Sequence, residues 1–207
     1  MRKLYLVRHG QTLFNLRHKT QGRCDSPLTE LGIKQAEVTR TFFIDNNISI
    51  DEVYSSTSER AIDTAQIISD LPVHPKKGLK EWNFGKMEGE PEDLQKVPRH
   101  PGQLTHEDFF VPFGGESDIQ LRDRITNSID DIVSKTDAEN ILCVSHGGAL
   151  WVYYLSKVSD KNSDDAKYFG NCCILEFNID DNNEISFVDI HNPAMNKEWI
   201  IINSFIL

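Results

Sequence analysis

Two short stretches place a histidine between an apolar run and a glycine. His9 is preceded by Arg8 and followed by Gly10, and His146 is followed by Gly147. Each apolar run has the length and β-branched content of a buried strand. Polar residues that follow neighbouring parallel strands meet at the edge where open α/β sheets bind ligands. We therefore expect the two histidines to share one site.

Arg60 is predicted to bring a second guanidinium group to the same edge. It follows the predicted strand 50–54 and lies in the first turn of a helix whose expected N-cap is Ser58. A cation gains nothing from the helix dipole at that end, so its position favours a role in ligand binding. Two histidines and two arginines suit a tetrahedral dianion, because guanidinium groups form charge-assisted hydrogen bonds with phosphate oxygens.

An imidazole beside a bound phosphate can attack phosphorus when the attacking nitrogen carries no proton. Neighbouring arginines favour the neutral ring and stabilise charge on the transferring oxygens. The leaving oxygen then needs a proton, which a carboxylic acid commonly supplies. A metal site is the alternative for paired histidines, but Arg8 beside His9 would repel a cation, so we expect no metal. The chain contains no GxxxxGK[ST] motif, which argues against a P-loop.

Composition limits the classes of partner. The chain has 207 residues, 39% of them apolar, and a net charge of −10, which suits one domain with a sizeable core. This acidity argues against sequence-independent binding to nucleic acid or an anionic membrane. We see no apolar segment of signal-peptide or membrane-spanning type, and the four cysteines lack metal-type spacing. We expect buried thiols and a cytoplasmic protein, monomeric or homodimeric.

Strands that alternate with helices predict a three-layer α/β/α sandwich with a largely parallel central sheet. Apolar spacing predicts a helix after Thr29 with Ile33, Ala36 and Phe43 on one face. A β-hairpin is expected to join residues 172–177 to residues 185–190.

The domain prediction is one unit spanning residues 1–207. Within it, residues 86–115 are rich in glycine, proline and charge, with scattered aromatic residues. We interpret this segment as a lid-like excursion over the site, with a short helix near 92–97. No conformation is predicted for the apolar tail from residue 191 onwards.

The motifs, taken together and in order, resemble the histidine phosphatase superfamily, and most closely its phosphoglycerate mutase-like branch (branch 1). The resemblance runs from about residue 3 to about residue 177. The matching positions are Leu6 to Gly10, Asn15, Gln21-Gly22, Pro27 to Thr29, Ser55-Ser56, Arg60-Ala61, Thr64-Ala65, Glu81, Phe84-Gly85, Gly114 to Ser117 and Val144 to Gly148.

This resemblance implies a phosphoglycerate mutase-like fold and a role for each matching residue. His9 would be the nucleophile that becomes phosphohistidine, and Arg8, Arg60 and His146 would clamp the phosphoryl oxygens. Glu81 would donate a proton to the leaving group and then activate water. The family uses no metal. Further contacts to phosphate or substrate are implied for Asn15, Gln21, Gly22 and the backbone amide of Gly147.

Two activities compete within the family. Only 34 residues lie between Glu81 and Glu116, fewer than family mutases carry, and a short lid admits water to the phosphohistidine. We therefore expect a metal-independent phosphomonoesterase that acts on a small phosphate ester and needs no cofactor. A phosphoglycerate mutase, which would need 2,3-bisphosphoglycerate, is the alternative. A non-catalytic phosphate-binding regulatory module is a third possibility, although no core residue is missing.

Overall fold

The computed structural model describes residues 1–94 and 100–195. Six strands form one sheet: β1 (Arg2–Arg8), β2 (Glu52–Ser56), β3 (Val73–Lys76), β4 (Asn140–Ser145), β5 (Ile174–Ile179) and β6 (Ile185–His191). Their spatial order is β3-β2-β4-β1-β5-β6. Strands β1 to β4 run parallel, and the hairpin β5–β6 extends the sheet with antiparallel pairing. The predicted α/β class, the largely parallel sheet and the hairpin are thus confirmed.

The register at the centre of the sheet positions the two histidines. Arg8 at the end of β1 lies opposite Ser145 at the end of β4. His9 and His146 therefore leave the sheet side by side, and the His9 N–H donates to the Ser145 carbonyl at 3.0 Å. The adjacency follows from parallel pairing of two strands that end at equivalent residues.

In the described chain, the one-turn helix α1 (Leu13–Leu16) follows β1, and the sheet is covered by α2 (Glu30–Asp45), α3 (Glu59–Ile68), α4 (Asp118–Ser134) and α5 (Gly147–Lys157). Side chains of β1 alternate between two cores, as the two-residue period of a strand requires. Leu4 and Leu6 pack with α4 and α5, whereas Tyr5 and Val7 pack with α2 and α3. This division produces the three layers.

Helix α2 corrects one sequence expectation. Its Thr29 cap is present, because the Thr29 hydroxyl accepts the Gly32 N–H. Its buried face, however, runs through Gly32 and Ala36, and Ile33 is 41% exposed. The physical reason is a close backbone approach: a Cβ on Gly32 would lie 2.1 Å from the Gln11 carbonyl oxygen. The helix turns its smallest residue, rather than its isoleucine, toward the chain that follows His9.

Between Gly85 and Phe113 the described chain forms short 3₁₀ turns rather than long helices. The helix predicted near 92–97 is a 3₁₀ turn at Glu92–Leu94, and residues 95–99 lie outside the described residues. Residues 196–207 of the predicted apolar tail also lie outside them. No helix formed by the described residues is long and apolar enough to cross a bilayer.

Three of the four cysteines are buried, as predicted. Cys24 is the exception, because it lies exposed in the loop between α1 and α2.

Candidate active site

His9 presents one ring nitrogen as a nucleophile. Its Nδ1 lies 2.8 Å from the Gly10 carbonyl oxygen, which can only accept a hydrogen bond, so Nδ1 carries the proton. The lone pair of the neutral ring is therefore on Nε2. Burial lowers the pKa of His9 well below its ordinary value, and the Arg60 and Arg8 charges lower it further, although the Gly10 bond opposes them. The nitrogen that would attack phosphorus is thus kept unprotonated.

The His9 backbone is anchored on several sides. Its carbonyl accepts a hydrogen bond from Asn171 Nδ2 at 3.0 Å, and the following Gly10 N–H donates to Thr64 Oγ1 at 3.0 Å. Gly10 also passes so close to α2 that a Cβ would lie 2.4 Å from the Gly32 carbonyl oxygen. Glycine is therefore required after the nucleophile.

His146 lies against His9, with 5.2 Å between the ring centroids. Its Nδ1 accepts a hydrogen bond from Arg60 Nη2 at 3.0 Å, so its Nε2 carries the proton and donates to Ser56 Oγ at 2.8 Å. Burial lowers the pKa of His146, and Arg60, His9 and other cations lower it further. Both ring nitrogens are therefore used within the protein, and the ring is neutral.

Arg60 is fully buried in the first turn of α3. Its Nη1 donates to the Cys24 carbonyl and to Asp25 Oδ1, each at 2.9 Å. Its Nη2 donates to the Gly22 carbonyl at 2.9 Å and to His146 Nδ1. Four of its five N–H donors are thus occupied, and Nε is buried with no hydrogen-bond partner in the described chain. That N–H is the only donor of Arg60 that its neighbours in the described chain leave unused.

Arg8 directly precedes the nucleophile in the chain, and its charge also acts on the His9 ring. Its Nη1 donates to the Phe169 carbonyl at 2.6 Å, and its Nε is a second buried N–H that lacks a partner within residues 1–94 and 100–195. Gly147 makes room for this side chain, because a Cβ there would lie 3.2 Å from Arg8 Cζ. Two guanidinium N–H groups next to a neutral imidazole form a site for a tetrahedral anion.

Glu81 is bound to the N-terminus of α5. Its Oε2 accepts the Gly148 N–H at 3.0 Å, and its Oε1 accepts the Ala149 and Trp82 N–H groups, each at 2.8 Å. The N-cap His146 makes no side-chain cap, so the carboxylate supplies partners that the helix end would otherwise lack. Helix α5 thereby places the predicted acid next to the histidine pair.

Arg124 on α4 supports the backbone that carries Glu81. Its guanidinium group donates to the carbonyls of Gly78, Lys80 and Glu81 at 2.8 to 3.1 Å. It also binds both carboxylate oxygens of Glu116. The segment before Glu81 is thus held by one bidentate arginine.

Residues 4–190 match the sequence pattern of the histidine phosphatase superfamily (branch 1). The chain belongs to this superfamily. It is 34% identical over 165 residues to a metal-independent phosphoserine phosphatase of Arabidopsis thaliana, across 74% of this chain and 67% of the relative.

Solved structures agree with this assignment to the histidine phosphatases. Bacillus stearothermophilus YhfR is similar at a TM-score of 0.78 and 27% identity, covering 92% of this chain and 98% of YhfR. A phosphoserine phosphatase from Entamoeba histolytica, solved in complex with 3-phosphoglyceric acid, is similar at a TM-score of 0.73 and 29% identity, covering 92% and 97% of the two chains. The predicted phosphoglycerate mutase-like fold and family are confirmed.

Asn15 and Gln21, which the sequence predicts as further contacts to phosphate or substrate, have different hydrogen-bond partners in this histidine phosphatase. The Asn15 Oδ1 caps α1 by accepting from Thr12 and is 3.4 Å from Asn171 Nδ2. The Gln21 side chain is buried and binds Thr12 and Ser26, so its amide is used in the loop. These contacts make Gln21 a part of the loop's framework.

Three supporting residues of the histidine phosphatase site were not predicted. Asp25 binds Arg60, Asn171 binds the His9 carbonyl, and Arg124 binds the Glu81 carbonyl. A partner such as Asp25 could have been predicted, because an arginine that is buried needs a carboxylate to balance its charge. The other two join residues with no periodic relation in the chain. No group of three or more His, Cys, Asp or Glu residues in the described chain is placed to hold a metal.

Proposed function

We propose that this histidine phosphatase is a metal-independent phosphomonoesterase that hydrolyses small phosphorylated metabolites through a phosphohistidine at His9. The observation that carries the proposal is the neutral His9 ring, with its Nε2 lone pair available, near the charges of two arginines whose Nε–H groups have no partner in the described chain. A phosphate dianion would satisfy both N–H groups and balance both charges.

In the first half-reaction, His9 Nε2 attacks phosphorus and the bond between phosphorus and the ester oxygen breaks. Glu81 gives its proton to that oxygen, so the alcohol leaves neutral. The Nε–H groups of Arg8 and Arg60 hold the phosphoryl oxygens as their charge develops. His146 is proposed to complete the clamp through Arg60: its neutral ring accepts from Arg60 Nη2 at Nδ1 and donates from Nε2 to Ser56 Oγ, which fixes the guanidinium group that holds the phosphoryl oxygens.

In the second half-reaction, water replaces the alcohol. Glu81, now a carboxylate, removes a proton from the water as its oxygen attacks phosphorus. The bond from His9 Nε2 to phosphorus breaks, and inorganic phosphate leaves with the neutral imidazole restored. The Gly147 amide, Asn15 and Gly22 are proposed to line the phosphate and substrate side, and residues 86–115 to serve as the lid of a single domain.

The proposal includes no metal and no cofactor. The name of the Arabidopsis relative, a metal-independent phosphatase, supports this, as does the position of Arg8 beside the nucleophile. Small phosphate monoesters are proposed as the substrates because structural neighbours such as the Entamoeba enzyme bind them. The cytoplasm is the proposed compartment, and a monomer or a homodimer is the proposed oligomeric state.

The test compares hydrolysis and phosphotransfer by the purified full-length chain. One assay follows phosphate release from p-nitrophenyl phosphate in excess EDTA. A second follows isomerisation of 3-phosphoglycerate with a trace of 2,3-bisphosphoglycerate. A third traps the acid-labile phosphoprotein by rapid quench. The variants are His9→Ala and, as a matched control, His74→Ala, whose side chain is exposed on β3.

We expect phosphate release that EDTA does not change, no isomerisation, and loss of both turnover and phosphoprotein only in His9→Ala. Isomerisation without release would instead establish the mutase. Wild-type turnover in His9→Ala would refute the phosphohistidine, and loss of activity in EDTA that added metal restores would refute metal independence.

A further inference from the structure

A cavity of about 330 Å³ opens on the Glu81 side of the candidate site. Arg8, Glu81, Gly147 and Gly148 line the end of this cavity nearest the histidines. The remaining walls include Trp82, Phe84, Gln103, Thr105, His106 and Trp151. An ester whose bridging oxygen faces Glu81 would place its alcohol group here, so we call this space the alcohol pocket.

The walls of the alcohol pocket are mainly aromatic and are held in place. Trp82 stacks on Phe84 with 15° between the ring planes and 6.2 Å between the centroids. Trp151 packs edge-on against Phe169 at 5.1 Å, and its indole N–H donates to the Leu104 carbonyl at 2.7 Å. Flat, preorganised aromatic walls favour a flat, apolar guest, which stacks without ordering the walls again.

The charged residues that line the alcohol pocket also limit which substrates it can bind. Among the described residues that line it, Glu81 is the only carboxylate and Arg8 the only arginine or lysine. Arg8 is engaged by the phosphoryl group in the proposed reaction. Among the described lining residues, His106 is the only other side chain that can carry a positive charge, and it does so only when protonated. A carboxylate on the alcohol would then lie near Glu81 without a permanently charged partner from these residues, and burying an unpaired charge is costly. Gln103 and Thr105 offer hydrogen bonds to a neutral polar group.

We propose, on the basis of the proposed phosphomonoesterase activity, that the preferred substrates are monoesters whose alcohol carries an uncharged planar ring next to the ester oxygen. Phe84 is the specificity-determining residue, because its ring forms a wall beside Glu81 and stacks on Trp82. Esters of amino acids or hydroxy acids, including phosphoserine and 3-phosphoglycerate, are poor substrates.

The test uses four esters that all release a primary alcohol, so that binding rather than leaving-group acidity decides their order. They are benzyl phosphate, ethyl phosphate, O-phosphoserine and 3-phosphoglycerate. We expect kcat/KM for benzyl phosphate to exceed that of each of the others at least tenfold. The benzyl preference arises from burial of the ring, and the discrimination against the two acids arises from the unpaired carboxylate.

Two variants locate the preference. Phe84→Leu keeps an apolar side chain but removes the ring, and it should lower the ratio of kcat/KM for benzyl to ethyl phosphate several-fold. The matched control is Phe113→Leu, since Phe113 contacts Phe109 outside the pocket lining. It should leave the ratio unchanged.

A binding measurement separates this inference from the hydrolysis on which it rests. The ligands are 2-phenylethylphosphonate and 2-amino-4-phosphonobutanoate, which replace the bridging oxygen of benzyl phosphate and phosphoserine with CH₂. We expect the first to bind at least tenfold more tightly by titration calorimetry. If no ester is hydrolysed but this order holds, the phosphomonoesterase proposal fails and the alcohol pocket stands. Equal or reversed affinities, or a benzyl-to-ethyl ratio that Phe84→Leu does not change, overturn the inference.

Discussion

Replacing Gly148 by alanine should displace the proposed acid without unfolding the protein. A Cβ at this position would lie 2.9 Å from Glu81 Oε1, whereas ordinary contacts begin at 3.4 Å. The carboxylate must therefore withdraw by about 0.5 Å, the difference between these distances. Glu81 can do so by rotating its side chain, because only the far end of that chain is crowded.

The displacement should act on catalysis and not on stability. Misplacing a catalytic group by about 1 Å costs on the order of 100-fold in rate, so about half that distance should cost roughly tenfold. Alanine is a better helix former than glycine by up to about 1 kcal/mol. The melting temperature of Gly148→Ala should accordingly be unchanged or slightly higher.

The assay measures kcat/KM for ethyl phosphate and for p-nitrophenyl phosphate. Ethoxide needs a proton to leave and nitrophenolate does not. Gly148→Ala should therefore lower kcat/KM about tenfold for ethyl phosphate and only slightly for p-nitrophenyl phosphate. Gly147→Ala is the matched control: its Cβ would lie 3.2 Å from Arg8 Cζ. Gly147→Ala should lower kcat/KM for both esters by a similar factor, because it displaces Arg8 and so disturbs the binding of the phosphate group that the two esters share.

Equal losses on the two esters in Gly148→Ala would refute Glu81 as the proton donor. An unchanged rate on ethyl phosphate would show that the carboxylate position is not critical for the first half-reaction.

Three more predictions follow from the supporting contacts and the charges. Arg124→Lys cannot keep the bidentate contact with Glu116, and the loss of about 2 kcal/mol of charge-assisted hydrogen bonding should lower Tm by about 4–8 °C. It should also lower kcat/KM more for ethyl phosphate than for p-nitrophenyl phosphate. The control variant Arg122→Lys, on the exposed side of the same helix, should change neither Tm nor kcat/KM. Parallel losses in the two variants would contradict a role for Arg124 in positioning. Because the pKa of His9 is lowered, kcat/KM for p-nitrophenyl phosphate should show no protonation step near pH 6.5. The same shift should make stability depend on pH, since the unfolded ring binds a proton near pH 6.5 and the folded ring does not. The His9 contribution to stability is therefore complete above pH 6.5 and is lost as the pH falls toward the pKa of the folded state. A single-proton loss of rate centred at pH 6.5, or a urea midpoint that does not fall with pH below 6.5, would oppose this. Asp25→Ala should destabilise the fold by about 3 kcal/mol, the low end for removing one partner of a buried ion pair, because the Asp25 side chain is 29% exposed while Arg60 is fully buried. The substitution should also weaken the binding of inorganic phosphate as a competitive inhibitor, and an unchanged urea midpoint would contradict a stabilising role for the Asp25–Arg60 pair.

The central geometry could be predicted because it depends on periodic patterns. Apolar runs marked β1 and β4, and parallel pairing then brought His9 and His146 together. Arg60 was predicted at the same edge because it opens a helix directly after a strand. The α2 face was predicted wrongly at Ile33, since hydrophobic periodicity does not register a backbone packing against Gly32.

The supporting contacts could not be predicted in the same way. Asn171 and His9 are 162 positions apart in the chain, and Arg124 and Glu81 are 43 apart. Such hydrogen bonds depend on the direction of single side chains after the elements have packed, and no sequence period records that direction. The alcohol pocket is equally nonlocal, because its walls come from separate loops and from α5.

One turn of α5 carries, in consecutive residues, the second imidazole, the glycine beside Arg8 and two amides that hold Glu81. Because Glu81 is held by the amides that directly follow His146, the proposed proton donor and the second imidazole keep a common support. A substitution on a distant surface that leaves this support in place should therefore leave the spacing between these two groups unchanged.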